Sequence, residues 1–108
     1  NLDKMELVTH VSKVTPLLEH SNVNMRFQVI TALKKLEPFQ LERYRTALIG
    51  RLRDDDWLMR YEAVKMLGKL GNLSVLEQSE LLRVAQEDTD IDVREGAHRY
   101  HQLGHRAE

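Results

Sequence analysis

The period of this chain limits its fold more than any other feature. Arg26, Arg60 and Arg94 stand 34 residues apart. Their neighbours keep the same register: Val23 with Trp57 and Ile91, Met25 with Met59 and Val93, Val29 with Ala63 and Ala97. Further back, Asn22, Asp56 and Asp90 align, as do Leu7, Leu41 and Val75, and Val14, Leu48 and Leu82. A chain that repeats a unit of this length stacks each unit on the next, because one unit cannot cover its own apolar face. Three copies, about 3–37, 38–71 and 72–105, fill almost all of the 108 residues.

Within each copy the local signals predict two helices. The first, or A, arm is expected over about 3–18, 38–52 and 74–87, and the second, or B, arm from about 23, 57 and 91. Asp3 and Ser74 stand as N-caps with Glu6 and Glu77 three residues on, and Pro38 falls in a first helical turn. Asn22, Asp56 and Asp90 can cap the B arms by accepting from amides that have no partner inside the helix. In the second copy Met59, Ala63, Val64, Met66, Leu67 and Leu70 recur at helical spacing, and Gly71 ends the run. Pro16 is expected to bend or end the first A arm. The fold class is therefore all-α.

Charge and composition exclude several functions. A net charge of −1 gives no global field that would draw the chain to nucleic acid or an acidic membrane surface. The absence of cysteine removes disulfides, thiolate zinc sites and cysteine nucleophiles. No apolar run approaches the length of a membrane span, and no phosphate loop, nucleophile elbow or paired-carboxylate constellation occurs.

The second copy, Asp54…Leu58-Met59-Arg60…Ala63…Met66-Leu67-Gly68-Lys69-Leu70-Gly71, resembles HEAT repeats, especially the short kind of the phycobilisome lyases. The third copy follows it with Asp88…Val93-Arg94…Ala97, and the first less closely, with His20 for the acid and Val29 for the alanine. Tetratricopeptide repeats share the period, but their tryptophan, glycine, tyrosine and proline positions are not met. The resemblance implies an α-solenoid of three hairpins, about six helices, in a right-handed superhelix. It implies that the turn acid and the arginine six residues on fix each turn by hydrogen bonds, which matches Asp54 with Arg60 and Asp88 with Arg94. It also implies that the B arms line a concave face that binds a partner.

On that face the residues outside the core pattern include Gln28, Thr31 and Lys35, then Glu62, Lys65 and Lys69, then Arg99. They suggest a basic ridge for a protein partner, an acidic or helical segment. No aromatic residues interleave the ridge for base stacking, which argues against nucleic acid. His98, His101 and His105 share a helical face at a possible metal spacing. They align with positions that are apolar in the inner copies, so they read as a solubilising cap, with no metal and no cofactor expected. Val8, Val11 and Leu17 suggest a more apolar N-terminal end, fit to pack on further repeats or another subunit. Deoxyhypusine hydroxylase, a di-iron HEAT enzyme, has His-Glu pairs where this chain has Phe27-Gln28, Tyr61-Glu62 and Glu95-Gly96. The expectation is a non-catalytic, cytoplasmic interaction scaffold, alone or as a module of a longer solenoid. The lyase likeness leaves an accessory role in chromophore attachment as the alternative.

Overall fold

A computed structural model describes residues 2–106, with side chains as far as His101. It is an α-solenoid: helical arms alternate along the chain, and no strand occurs among the described residues. The B arms are continuous helices, α3 (Val23–Leu33), α6 (Trp57–Leu70) and α8 (Ile91–Arg106). Each begins at its cap. Asn22 Oδ1 accepts from the amides of Asn24 and Met25, Asp56 Oδ1 from Leu58 and Met59, and Asp90 Oδ1 from Asp92 and Val93, at 2.8 to 3.3 Å.

The residue two before each cap closes the turn. The Asp56 amide donates to Asp54 Oδ1 at 2.9 Å and the Asp90 amide to Asp88 Oδ1 at 3.0 Å. In the first copy the Asn22 amide donates to His20 Nδ1 at 3.0 Å, so an imidazole nitrogen accepts there as a carboxylate oxygen does in the others.

The A arms depart from expectation. Only the third, α7 (Val75–Glu87), is one unbroken helix, opened by the Ser74 and Glu77 capping box. The first is α1 (Lys4–Thr9), α2 (Val11–Val14) and a 3-10 segment Thr15–Glu19. The second is α4 (Pro38–Leu41), a 3-10 turn Glu42–Tyr44, α5 (Arg45–Gly50) and a 3-10 turn Arg51–Arg53. In the first arm the causes are local. Thr9 and Thr15 turn their hydroxyls back to the carbonyls of Met5 and Val11, at 2.7 and 2.8 Å, a bond that bends helices. Pro16 has no amide to continue the ladder. Where the helix breaks at His10, the Leu7 carbonyl is taken by the hydroxyl of Tyr44 at 2.7 Å, a fully buried side chain from the next copy.

The core runs unbroken through all three copies. Leu7, Leu18, Leu41, Leu48 and Leu52 of the A arms meet Val29, Ile30, Leu33, Met59, Ala63, Val64 and Leu67 of the B arms, and Leu81, Val84, Val93 and Ala97 carry it to the far end. Val8, Val11 and Leu17 are half-buried against this same core, so much of the apolar surplus at the N-terminal end is used internally. Two glycines have distinct reasons. Gly71 ends α6 at φ 67°, ψ −166°, a region open essentially to glycine alone. Gly68 makes room for a neighbour: a Cβ there would clash with the ring carbons of Tyr100 on α8.

Two predictions follow from this packing. Tyr44→Phe leaves the buried Leu7 carbonyl unpaired and should cost about 1–3 kcal/mol in urea unfolding. Gly68→Ala should lower stability although alanine favours an exposed helix by about 1 kcal/mol; a gain would mean that Tyr100 does not pack on α6.

Candidate functional site

The turns between arms carry most of the buried charge. Arg26 donates through Nε and Nη2 to the two carboxylate oxygens of Asp54, each at 3.0 Å, across the gap to the next hairpin. Its Nη1 donates to the carbonyl of His20 at 2.7 Å, in its own turn. Arg60 repeats both contacts, forking onto Asp88 at 2.8 and 3.1 Å and donating to the Asp54 carbonyl at 2.9 Å. Arg94 donates to the Asp88 carbonyl at 2.6 Å. Asp54 thus meets Arg60, and Asp88 meets Arg94, through backbone carbonyls. The carboxylates belong to the arginine of the preceding copy, 28 residues earlier. The sequence expectation placed both tasks within one turn. The structure splits them, because an arginine side chain leaving the first turn of a B arm reaches its own turn with one nitrogen and the neighbouring turn with its fork.

Asp54 is the most loaded group. Beyond Arg26 it accepts from Arg51 Nη1 at 2.9 Å and from the Asp56 amide. Burial pushes its carboxyl up, but the Asp56 amide and the two guanidinium groups outweigh that and hold it below the usual aspartate value. The hydrogen bond to Asp54 in turn raises the Arg26 guanidinium further.

Of the expected ridge on the B layer, Gln28, Thr31, Lys35, Lys69 and Arg99 are exposed and Lys65 is half-buried, but Glu62 is withdrawn from the surface. Glu62 is only 6% exposed, with one carboxylate oxygen on Lys34 Nζ at 3.2 Å and the other unpartnered among the described residues. It lies between α3 and α6, as does Gly96 between α6 and α8, where a Cβ would touch Val64 and Tyr61. Lys69 is tied down, its ammonium donating to the carbonyls of Leu36 and Lys34 at 2.7 and 3.3 Å just beyond the end of α3. Gln28, Thr31 and Lys35 line a groove of ≈ 820 Å³ at the N-terminal end, with Leu2, Leu17 and Met25. Arg99 lines a second cleft at the opposite end. Lys65, half-buried on the middle helix, holds its ammonium 5.2 Å from the centroid of the Tyr61 ring.

That face also presents aromatic rings. Trp57 is 44% exposed, and its ring lies 6.3 Å from that of Tyr61 at an angle of 50°. Trp57, Tyr61 and Lys65 follow one another at four-residue spacing, so they form a single stripe along α6. The sequence carried that spacing, but Trp57 aligned with Val23 and Ile91, so the repeat alone gave it no aromatic counterpart in the other copies. Among the described residues His98 is exposed and His101 half-buried, and His105 lies outside the described side chains. No group of three histidine or carboxylate side chains among the described residues is placed to hold a metal. No helix there is long and apolar enough to cross a membrane.

A family model described as HEAT repeats matches residues 11–100. No curated protein and no solved structure matches the chain.

The ladder makes a prediction about acid. Because the Asp54 carboxyl is depressed in the folded state, its stabilising contribution is present above the unfolded aspartate value and is lost as pH falls through the folded one. Asp54→Asn should cost about 3–5 kcal/mol at neutral pH, since it strands buried guanidinium groups. Its stability should also decline less than that of the unaltered chain below about pH 4, as read by urea unfolding across pH.

Proposed function

Since the chain belongs to the HEAT-repeat family, we propose that it is a non-catalytic, cytoplasmic scaffold that binds a protein partner on the concave face formed by its B arms. The observation that carries this reading is the stripe of exposed Trp57 and half-buried Tyr61 and Lys65 on α6, the middle helix of that layer. Partly exposed aromatic rings on a rigid support have little side-chain entropy to lose on binding, and tryptophan and tyrosine are enriched where interfaces concentrate their energy. The helix that bears them is fixed by its cap, by Arg60 and by the close seat of Tyr100 on Gly68. A cation beside an apolar stripe suits a helical segment whose apolar side covers Trp57 and whose carboxylate meets Lys65. Arg99 and Thr31 stand at the matching positions of the flanking helices and extend the same polar row.

The test is affinity capture from source-cell lysate with the unaltered chain and with a Trp57→Ala, Lys65→Glu variant. One protein retained by the first and lost by the second is the expected result. Urea unfolding of the variant should stay within about 1 kcal/mol of the unaltered chain, because Trp57 is exposed and Lys65 is not buried. Capture that is indifferent to these substitutions would move the binding face elsewhere. Visible absorbance of a co-purified tetrapyrrole would instead favour the accessory role beside a chromophore lyase.

A further inference from the structure

The first residue of every B arm is apolar and open to solvent. Val23, Trp57 and Ile91 hold this place in the three copies and are 36%, 44% and 58% exposed. A residue directly after a helix cap stands where packing only begins, so its position accounts for the exposure. It does not account for three large apolar side chains at a place that suits a polar one. Because α3, α6 and α8 pack side by side, as Lys34 on Glu62 and Tyr100 on Gly68 show, the three side chains form one row across the turns. The row runs along the side of the stack, so a further repeat before or after it would lengthen it rather than cover it.

The borders of the row are acidic. Asp55 precedes Trp57 and keeps its side chain 93% exposed while accepting from Arg26 Nη2 at 3.0 Å. Asp92 and Glu95, both exposed, follow Ile91. Of the arginines in these turns, Arg26 and Arg60 are paired with Asp54 and Asp88, and Arg94 is outnumbered by Asp90, Asp92 and Glu95. Between the first two turns the row opens into a cleft of ≈ 330 Å³ lined by Ser21, Val23, Arg26, Asp55 and Asp56.

We propose that this row is a second docking surface, which takes an extended basic segment of a partner protein with an apolar residue at every third position. Packed neighbouring helices lie about 8–10 Å apart. A polyproline-type segment returns the same face every three residues, about 9 Å, whereas a β-strand does so about every 7 Å. A helix would bring a broad apolar stripe, and the row is narrow: Val23 stands between Asn22 and Asn24, and Ile91 between Asp90 and Asp92. Arginine or lysine between the apolar positions meets Asp55 and Asp92, and the same acids repel nucleic acid and anionic membrane. The surface shares Trp57 with the concave stripe but needs neither Tyr61 nor Lys65, so the two readings stand or fall separately.

Trp57 is the single tryptophan of the chain, and its emission reports docking directly. The probes are a peptide of Leu-Arg-Pro repeats and an isomer of the same composition with its leucines clustered, each titrated into the full chain. The regular peptide should shift the Trp57 emission and bind about tenfold more tightly than the isomer, as expected for apolar side chains brought into register. Val23→Ser with Ile91→Ser should remove that advantage, Asp55→Asn with Asp92→Asn should weaken binding and flatten its salt dependence, and Lys65→Glu should leave it unchanged. Equal affinity for the two peptides, or no response to either, would overturn the proposal, and this comparison needs no altered chain. Binding lost with Lys65→Glu but kept in the Val23→Ser, Ile91→Ser variant would place the peptide on the concave face and overturn it as well.

Discussion

Successive hairpins are held in register by guanidinium groups that satisfy two turns at once. Arg26 and Asp54 are both almost entirely removed from solvent, and a pair of this kind owes little net stability to its charge, because the desolvation of both partners offsets most of their attraction. What it supplies is geometry. A fork onto two oxygens fixes both the distance and the rotation between one turn and the next, which an aliphatic contact between leucines does not. The core can then be plain: leucine, valine, methionine and alanine fill the space that the turns have already set.

That division explains why irregularity is confined to the A arms. The B arms begin within the turns that the ladder fixes, and all three are continuous from a capped start. The A arms connect one turn to the next and are joined side to side by longer-range ties, such as Arg45, which links Glu42 to Glu77 and the Gly71 carbonyl. Their path can therefore follow local chemistry. Where threonine hydroxyls and Pro16 disturb the amide ladder, the chain tightens into 3-10 turns, and the freed Leu7 carbonyl finds Tyr44.

The period, the two-arm unit, the B-arm caps and the apolar stripe of α6 were legible in the sequence because each depends on residues within one copy. Contacts between copies were not. The carboxylate partner of Arg26 lies in another turn, and nothing in the spacing of Arg60 after Asp54 separates a bond to a carbonyl from a bond to a carboxylate. The same limit hid the burial of Glu62, which looks like a surface residue until Lys34 of the neighbouring helix is placed over it. Lys69 read as part of a free cationic row, whereas its reach across to the carbonyls beyond α3 makes it the closing contact of another helix. Gly68 carried a readable signal, an unusual glycine inside a helix, but its cause is the ring of Tyr100 on the next arm. The breaks in the first A arm were foreshadowed only by Pro16.

The two ends of the stack are chemically unequal, and the inequality comes from the polarity of the ladder itself. Each rung runs from an arginine in one copy to an aspartate in the following one, so a stack of such units has a carboxylate side and a cation side. At the leading end the carboxylate is replaced by His20, which still closes its own turn through Nδ1 but offers a preceding arginine no fork to grip. At the trailing end the cation is kept, fixed by the Asp88 carbonyl with two donors unused among the described residues. With histidine in place of the acid, the turn of the first hairpin is still closed through Nδ1. Arg94 therefore keeps the donor side of the ladder at the last described turn. The ladder that fixes the internal geometry thus also gives the stack a direction.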